Sequence, residues 1–362
     1  MTSGAPERRK TRQLSVGKVK IGGDAPVSIQ SMTNTDTRDV QATIRQIQRL
    51  EAAGCEIVRL AVPDEDAAKA LKEIKAEVNL PLIADIHFHH TLALMALESG
   101  VDGLRLNPGN IGARWKVEEV VKAASERCIP IRIGVNSGSV EKEVLEKHGG
   151  PTPAALVESA LGHVRILEDL DYDRIKVSLK GSQVMQTVAA YKLMSAERDY
   201  PLHIGITEAG TVFRGGVKSG VGIGILLYEG LGDTLRVSLT GDPVREVEVA
   251  WWILGALGIR RRGVEVISCP TCARTRLPIE TLALEVEKAL ADLDAPVTVA
   301  VMGCEVNGPG EAREADVGVA SGKGYGLLFK RGEVVGKVPE NEVVAAVVKM
   351  AREVAKEKLE KK

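Results

Sequence analysis

The chain of 362 residues carries 48 Lys and Arg against 49 Asp and Glu, a net charge of -1, so no global field recruits nucleic acid or an anionic membrane and any anion site must be local. Its length suits a domain of about 250 residues plus a smaller one. Five cysteines in so long a chain argue against a secreted disulfide framework and for thiols kept reduced.

Arg8, Arg9, Lys10 and Arg12 are followed by no apolar leader core, and no stretch approaches a membrane-spanning length, so the chain is expected to be cytoplasmic with neither nucleic acid nor membrane as partner. Residues 12–26, RQLSVGKVKIGGDAP, predict a hairpin. Eight short β-branched runs follow: VSIQSM (27–32), IVRLAV (57–62), LIADIH (82–87), GLRLN (103–107), PIRIGVN (130–136), RIKVSL (174–179), LHIGITE (202–208) and TLRVSL (234–239). Between them lie segments with apolar residues at helical spacing, such as VQATIRQIQRLEAAG and EDAAKALKEIKAEV. Strands apolar throughout and alternating with helices imply a parallel sheet buried on both faces. Eight such βα units predict an α/β fold, a closed (β/α)8 TIM barrel over residues 1–258, with an open doubly wound sheet as the alternative.

After the helical PVREVEVAWWILGALG comes the polar link IRRRG, then VEVISCP, the helical IETLALEVEKALADLD, VTVAVMG, DVGVASG, GYGLLFK and a charged last helix. This order predicts a separate, smaller α+β domain over residues 259–362. The tail AREVAKEKLEKK (351–362) reads as a solvated helix end.

Barrel enzymes keep reactive groups at the carboxyl ends of their strands. Arg59, His87, Arg105 with Asn107, Arg132 with Asn136, Lys176 with Lys180, Glu208, and Arg236 with Ser238 all fall in or just beyond the predicted strands. A strand buried in a barrel has no wet face for an arginine, so repeated basic residues there need a partner. An anion fits, because guanidinium forks match phosphate oxygens and each charge-assisted bond contributes roughly 1.5–3 kcal/mol. NPGNIG (107–112) adds candidate backbone donors. The plainer reading pairs these cations with barrel carboxylates. Asp85, His87, His89 and His90 in DIHFHH suggest a rival, a barrel metal hydrolase, although His163 falls mid-helix and His203 begins its strand.

Cys269-x-x-Cys272, in SCPTCARTR (268–276), is followed by Cys304 at another predicted strand end, and no histidine lies beyond His203. Three readings stay open. A closed structural zinc site needs four ligands, here an Asp or Glu beside the three thiolates. A dithiol redox pair leaves Cys304 idle. A [4Fe-4S] cluster accepts three thiolates and leaves one iron for an oxygen ligand or a substrate. Pro270 removes an N–H and stiffens the loop. Cys55 and Cys128, each beside an apolar run, read as buried small hydrophobes.

GCEIVRLAVPD (54–64), DIHFH (85–89), IGVNSGS (133–139), GITEAG (205–210), GDTLRVSLT (232–240), CPTC (269–272) and MGCEVNGPGEAREADVG (302–318), in this order, resemble the 4-hydroxy-3-methylbut-2-enyl diphosphate synthase family in its short bacterial form. The resemblance implies a [4Fe-4S] cluster held by Cys269, Cys272, Cys304 and Glu311. It also implies a diphosphate held by Arg59, Arg105, Arg132, Lys180, Arg236 and Ser238, with Asn136 and Glu208 near the reacting carbons. The plainer alternative for Glu208 is a carboxylate neutralising a nearby arginine. The implied reaction is a two-electron reductive ring opening of 2-C-methyl-D-erythritol 2,4-cyclodiphosphate, with loss of water. Gly220-x-Gly222-x-Gly224 lacks the spacing of a nucleotide-cofactor motif, so an external donor, flavodoxin or ferredoxin, is expected.

A βα unit's helix runs antiparallel to its strand, so the eighth helix delivers the chain to the barrel face opposite the active site. The link 258–263 spans at most about 20 Å. A head-to-tail homodimer is therefore expected, as the resemblance also implies. Two other classes stand beside this reading: a metal hydrolase centred on DIHFHH, and a non-enzymatic cluster or zinc module.

Overall fold

The computed structural model describes residues 7–360, and the chain divides into two units, Met1–Arg260 and Arg261–Lys362. The first opens with the expected hairpin, β1 (Leu14–Val16) antiparallel to β2 (Val19–Ile21). Gly17 turns it at a φ of +54°, a conformation glycine adopts without a Cβ clash. Leu14, Val16 and Ile21 cluster with Ile57 and Ile83, which begin or nearly begin their strands, so the hairpin plugs the amino end of the sheet.

Eight strands follow: β3 (Ser28–Met32), β4 (Ile57–Ala61), β5 (Leu82–Asp85), β6 (Gly103–Arg105), β7 (Ile131–Asn136), β8 (Ile175–Lys180), β9 (His203–Ile204) and β10 (Thr234–Leu235). Every pairing is parallel, in the order β8-β7-β6-β5-β4-β3-β10-β9. The two ends meet through a parallel bridge, Val177 to Leu202, and the Val177 N–H bond to the Pro201 carbonyl, 2.9 Å. The sheet is thus a closed barrel, not the open alternative.

Among the described residues ten α-helices surround or cap it: α1 (Val40–Ala52), α2 (Glu65–Glu77), α3 (His90–Glu98), α4 (Pro108–Ile111) and α5 (Arg114–Glu126), then α6 (Lys142–His148), α7 (Pro153–Glu168), α8 (Val184–Glu197), α9 (Val212–Tyr228) and α10 (Pro243–Ala256). Their starts are legible locally. Asp39, Asp64, Thr152 and Asp242 each accept a first-turn N–H, and Pro153 and Pro243 occupy N1 of their helices. Ile44, Ile47 and Leu50 show the inward stripe of α1. The short α4 and α6, both in loops beyond strand carboxyl ends, were not foreseen in the sequence pattern.

Two expectations are corrected. β9 and β10 are only two residues each, shorter than the runs 202–208 and 234–239, and the chains pass so closely beyond them that a Cβ at Gly205 would strike the Arg236 carbonyl oxygen. Cys128 is exposed, not buried. It sits at a φ of +55° in the turn after α5, ahead of the apolar run that enters β7.

The second unit is a five-stranded sheet in the order β11 (Val264–Ser268), β12 (Val297–Met302), β13 (Val317–Gly322), β14 (Tyr325–Lys330) and β15 (Glu333–Pro339). The first three strands are parallel and the last two antiparallel. Its helices are α11 (Ile279–Ala289), α12 (Gly308–Glu314) and α13 (Val343–Leu359). β15 escaped the sequence reading because it is an edge strand, largely exposed and broken by Gly336, so it carries no inward alternation. The tail is not wholly solvated: Ala351, Val354 and Ala355 of α13 are buried, and Lys358 pairs with Asp316 at 2.7 Å. Its last two residues lie outside the described ones. Among the described residues no helix is long and apolar enough to cross a membrane.

Candidate active site

Inward positions on the barrel strands alternate with outward ones, and several of them are basic. Arg59 (β4), Arg105 (β6), Arg132 (β7), Lys176 and Lys180 (β8) and Arg236, just past β10, all point into one interior. Two carboxylates face them. Asp85, at the end of β5, lies 3.5 Å from Arg59 and 3.4 Å from Arg105. Glu246, on α10, accepts two bonds from Arg236 at 3.1 Å and one from Ser31 at 2.9 Å. Pairing with carboxylates therefore accounts for three of the cations.

It does not account for Arg132, Lys176 or Lys180. Arg132 is 2% exposed, and its Nε and Nη1 have no hydrogen-bond partner. Lys180 Nζ lies 3.4 Å from His203 Nε2 and, among the described residues, is in no salt bridge. Burial, then the charges of Arg59 and Arg105, holds the Arg132 guanidinium well below its ordinary range. Burial, then Arg132, does the same to Lys180. Burial also pushes Arg59 down to about 10, against the pull of Asp85. A charge this deeply buried is tolerated only beside a counter-charge. A bound anion would supply that counter-charge.

Loops from β6 and β7 frame the mouth. The Asn107 side chain accepts the Gly134 N–H at 2.9 Å and donates to the Gly134 carbonyl at 3.1 Å, and that carbonyl also accepts Arg105 Nη2 at 2.6 Å. Half-buried Asn136 ends β7, its N–H bonded to Ser139 Oγ at 3.1 Å. Ser238 is half-buried four residues beyond the start of β10. Glu208 is exposed and holds a φ of +52°, a region uncommon for a residue with a side chain. DIHFHH disperses: His87 Nδ1 lies 3.3 Å from Arg105 Nη1, exposed His89 precedes α3, and His90 pairs with Glu119 at 3.6 Å and packs edge-on to Trp115. His163 sits between the Gly109 N–H (3.2 Å) and Glu141 (3.0 Å), tying two mouth loops together. Glu246 was missed in the sequence; its signal is a lone carboxylate on the buried face of α10, beside Val247 and Ala250.

In the second unit β11 and β12 run parallel in register, so Cys269 and Cys304, one and two residues past their strands, leave neighbouring carboxyl ends. The Gly303 N–H bonds Cys269 Sγ at 3.1 Å. A Cβ on Gly303 would lie 3.2 Å from that sulfur, which explains the glycine. Cys272 is exposed, in a turn closed by its N–H to Thr275 Oγ1 at 2.9 Å. The N–H groups of Asn307, Val306 and Gly308, followed by the Arg274 side chain, pull the Cys304 thiol below its ordinary range. Glu311 is exposed in the first turn of α12, the helix that begins with Gly308. Among the described residues no three His, Cys, Asp or Glu side chains stand close enough to share one metal ion. The donors nonetheless fit an iron–sulfur group: sulfurs that accept backbone N–H bonds are the kind that tune such clusters, and an acidified thiol is ready to ligate.

Comparison with known proteins agrees with both halves. Residues 11–251 match the family described as the GcpE TIM-barrel domain, and residues 265–353 match the GcpE protein C-terminal domain. A 4-hydroxy-3-methylbut-2-en-1-yl diphosphate synthase (flavodoxin) of Geobacter sulfurreducens is 64% identical over 97% of this chain and 99% of its own. Proteins of the same description from Thermodesulfovibrio yellowstonii and Clostridium perfringens are 59% and 57% identical, over 96% and 95% of this chain and 99% and 98% of theirs. The chain belongs to the GcpE family.

Proposed function

We infer that this chain is an oxidoreductase of the non-mevalonate isoprenoid route. It reduces 2-C-methyl-D-erythritol 2,4-cyclodiphosphate by two electrons to (E)-4-hydroxy-3-methylbut-2-enyl diphosphate, opening the ring and releasing water. The observation that carries this reading is the Arg132 guanidinium, buried inside a closed barrel with no partner for its Nε and Nη1, together with membership of the family. Flavodoxin, printed in the relatives' names, is the expected donor class, with ferredoxin as the alternative.

Arg59, Arg105, Arg132, Lys180, Arg236 and Ser238 would bind the diphosphate. Asp85 and Glu246 keep the outer arginines aligned, while Arg132 offers two donors, Nε and Nη1, that have no partner. Held this way, the ring is oriented and water is displaced before any bond breaks. Asn136 and Glu208 would flank the reacting carbons, with Glu208 placed to give a proton to the departing hydroxyl oxygen. Its exposure leaves it free to recharge from solvent.

Cys269, Cys272, Cys304 and Glu311 would hold a [4Fe-4S] cluster. Such a cluster supplies single electrons and a Lewis-acidic iron. Glu311, as a carboxylate, is the most readily displaced of these ligands. The reading includes a head-to-tail homodimer, supported by where the chain leaves the barrel: α10 runs antiparallel to the strands and ends at the face opposite the mouth.

The test is anaerobic purification with iron and sulfide quantitation, then turnover of the cyclic diphosphate with reduced donor. About four irons per chain are expected. Glu208→Gln should lower kcat by about 100-fold or more while leaving the Kd for the substrate nearly unchanged. Full turnover without iron would overturn the reading.

A further inference from the structure

Beneath the mouth lies a second tier of basic groups. Inward positions on β8 run Lys176, Ser178, Lys180, which places Lys176 deeper in the barrel. Lys176 Nζ is buried with no hydrogen-bond partner, and its register partner on β7 is Arg132. On β9 His203 is fully buried, with Nε2 against Lys180 Nζ and Nδ1 unpartnered. Below, the nearest carboxylate is Asp233, already engaged by Arg8 at 2.8 Å and Thr11 at 3.0 Å. Above stand Arg59 and Arg105 with Asp85, and Arg236 with Glu246.

A buried amine or imidazole surrounded by cations sheds its proton. Burial, then Arg132, pushes the Lys176 ammonium down to about 7. Burial, then Lys180, holds His203 well below its ordinary range. An anion at the mouth reverses the field that all three groups feel.

We propose that Lys176, Lys180 and His203 form a proton-accepting tier under the diphosphate site, so that an anion entering the barrel is neutralised partly by protons drawn from solvent. This rests on the functional reading above and adds Lys176 and His203 to its machinery. The cyclic substrate is a clean probe. Each of its phosphorus atoms carries one strongly acidic oxygen and lacks the second ionisation near pH 6 of a phosphate monoester, so the ligand does not titrate near neutrality.

Titration calorimetry of the holoenzyme with the cyclic diphosphate, without electron donor, in buffers of different ionisation enthalpy reads the proton balance directly. At about pH 8 the wild type should take up about one proton per ligand, with affinity rising up to about tenfold for each pH unit of acidification. Lys176→Met removes the titrating group and Lys176→Arg fixes its charge; both should lose most of the uptake. Binding without proton uptake in the wild type overturns the proposal, as does undiminished uptake in both variants, and in either case the diphosphate site still stands. Failure of the ligand to bind at all would overturn the site and the tier together.

Discussion

The barrel interior and the sulfur-bearing end of the second unit solve opposite problems. In the barrel the binding groups are buried and already fixed by one another. Asp85 spans Arg59 and Arg105, Glu246 clamps Arg236, and Gly134 receives both Asn107 and Arg105. At the sulfur end Cys272 and Glu311 are exposed, and among the described residues no three candidate ligands gather. The barrel groups are fixed by one another around an Arg132 whose Nε and Nη1 have no partner; the second set of donors stands on turns, and the proposed cluster would have to gather them.

The largest effect that separates the two regions comes from the sulfur end. Cys304→Ser removes the acidified thiol at the start of α12. Iron content should fall to a small fraction and turnover by about 1,000-fold or more, because serine is a far poorer iron ligand than thiolate. Substrate binding in the barrel should change by less than about threefold. Anaerobic iron analysis and calorimetry on one sample measure both, and a parallel collapse of binding would break the contrast.

Asp85→Asn strikes the preorganised side. Removing one carboxylate from between two buried arginines should destabilise the barrel by about 3–5 kcal/mol, read by chemical denaturation. Its pH dependence has a definite sign. Burial opposes ionisation, but Arg59 and then the His87 bond hold the Asp85 carboxyl well below the usual range. Its stabilisation is therefore present above about pH 4, the unfolded value, and is lost as pH falls further. The variant should show a shallower acid limb below about pH 4 than the wild type.

Arg132→Met tests the unpartnered guanidinium. Affinity for the cyclic diphosphate should fall by roughly 10- to 150-fold, one charge-assisted bond to phosphate. The unliganded protein should be as stable as the wild type or more so, because an unpaired guanidinium leaves the interior. Loss of stability equal to the loss of affinity would mean that the wild-type charge is compensated after all.

The same contrast decides what could be read from the chain alone. All eight barrel strands and the basic positions on them were legible, because a strand buried on both faces leaves an unbroken apolar run in which an arginine stands out. Which cations would stay unpaired was not, since Glu246 reaches Arg236 from a helix and Lys176 looked no different from its neighbours. At the sulfur end the CxxC spacing and the later Cys304 pointed to a metal group. The proposed fourth ligand, Glu311, came only with the family resemblance, because one exposed glutamate in a helix's first turn has no signature of its own. Edge strand β15 and exposed Cys128 escaped for a related reason: pattern reports burial, and neither is buried.

The smallest effect probes how tightly the sulfur end is preset. Gly303 lets its N–H approach Cys269, and an added Cβ would sit 3.0 Å from Ile279 Cγ1 and 3.2 Å from the sulfur. Gly303→Ala should therefore cost the second unit about 1 kcal/mol through overpacking. Because Ile279 begins α11 and the sulfur lies on a turn, both can give way by a few tenths of an ångström. Cluster loading should be slowed, not abolished, when iron incorporation is followed against time. If loading stopped entirely while stability fell by only that amount, the sulfur end would be as rigidly preset as the barrel, and the distinction between a fixed site and a gathered one would have to be abandoned.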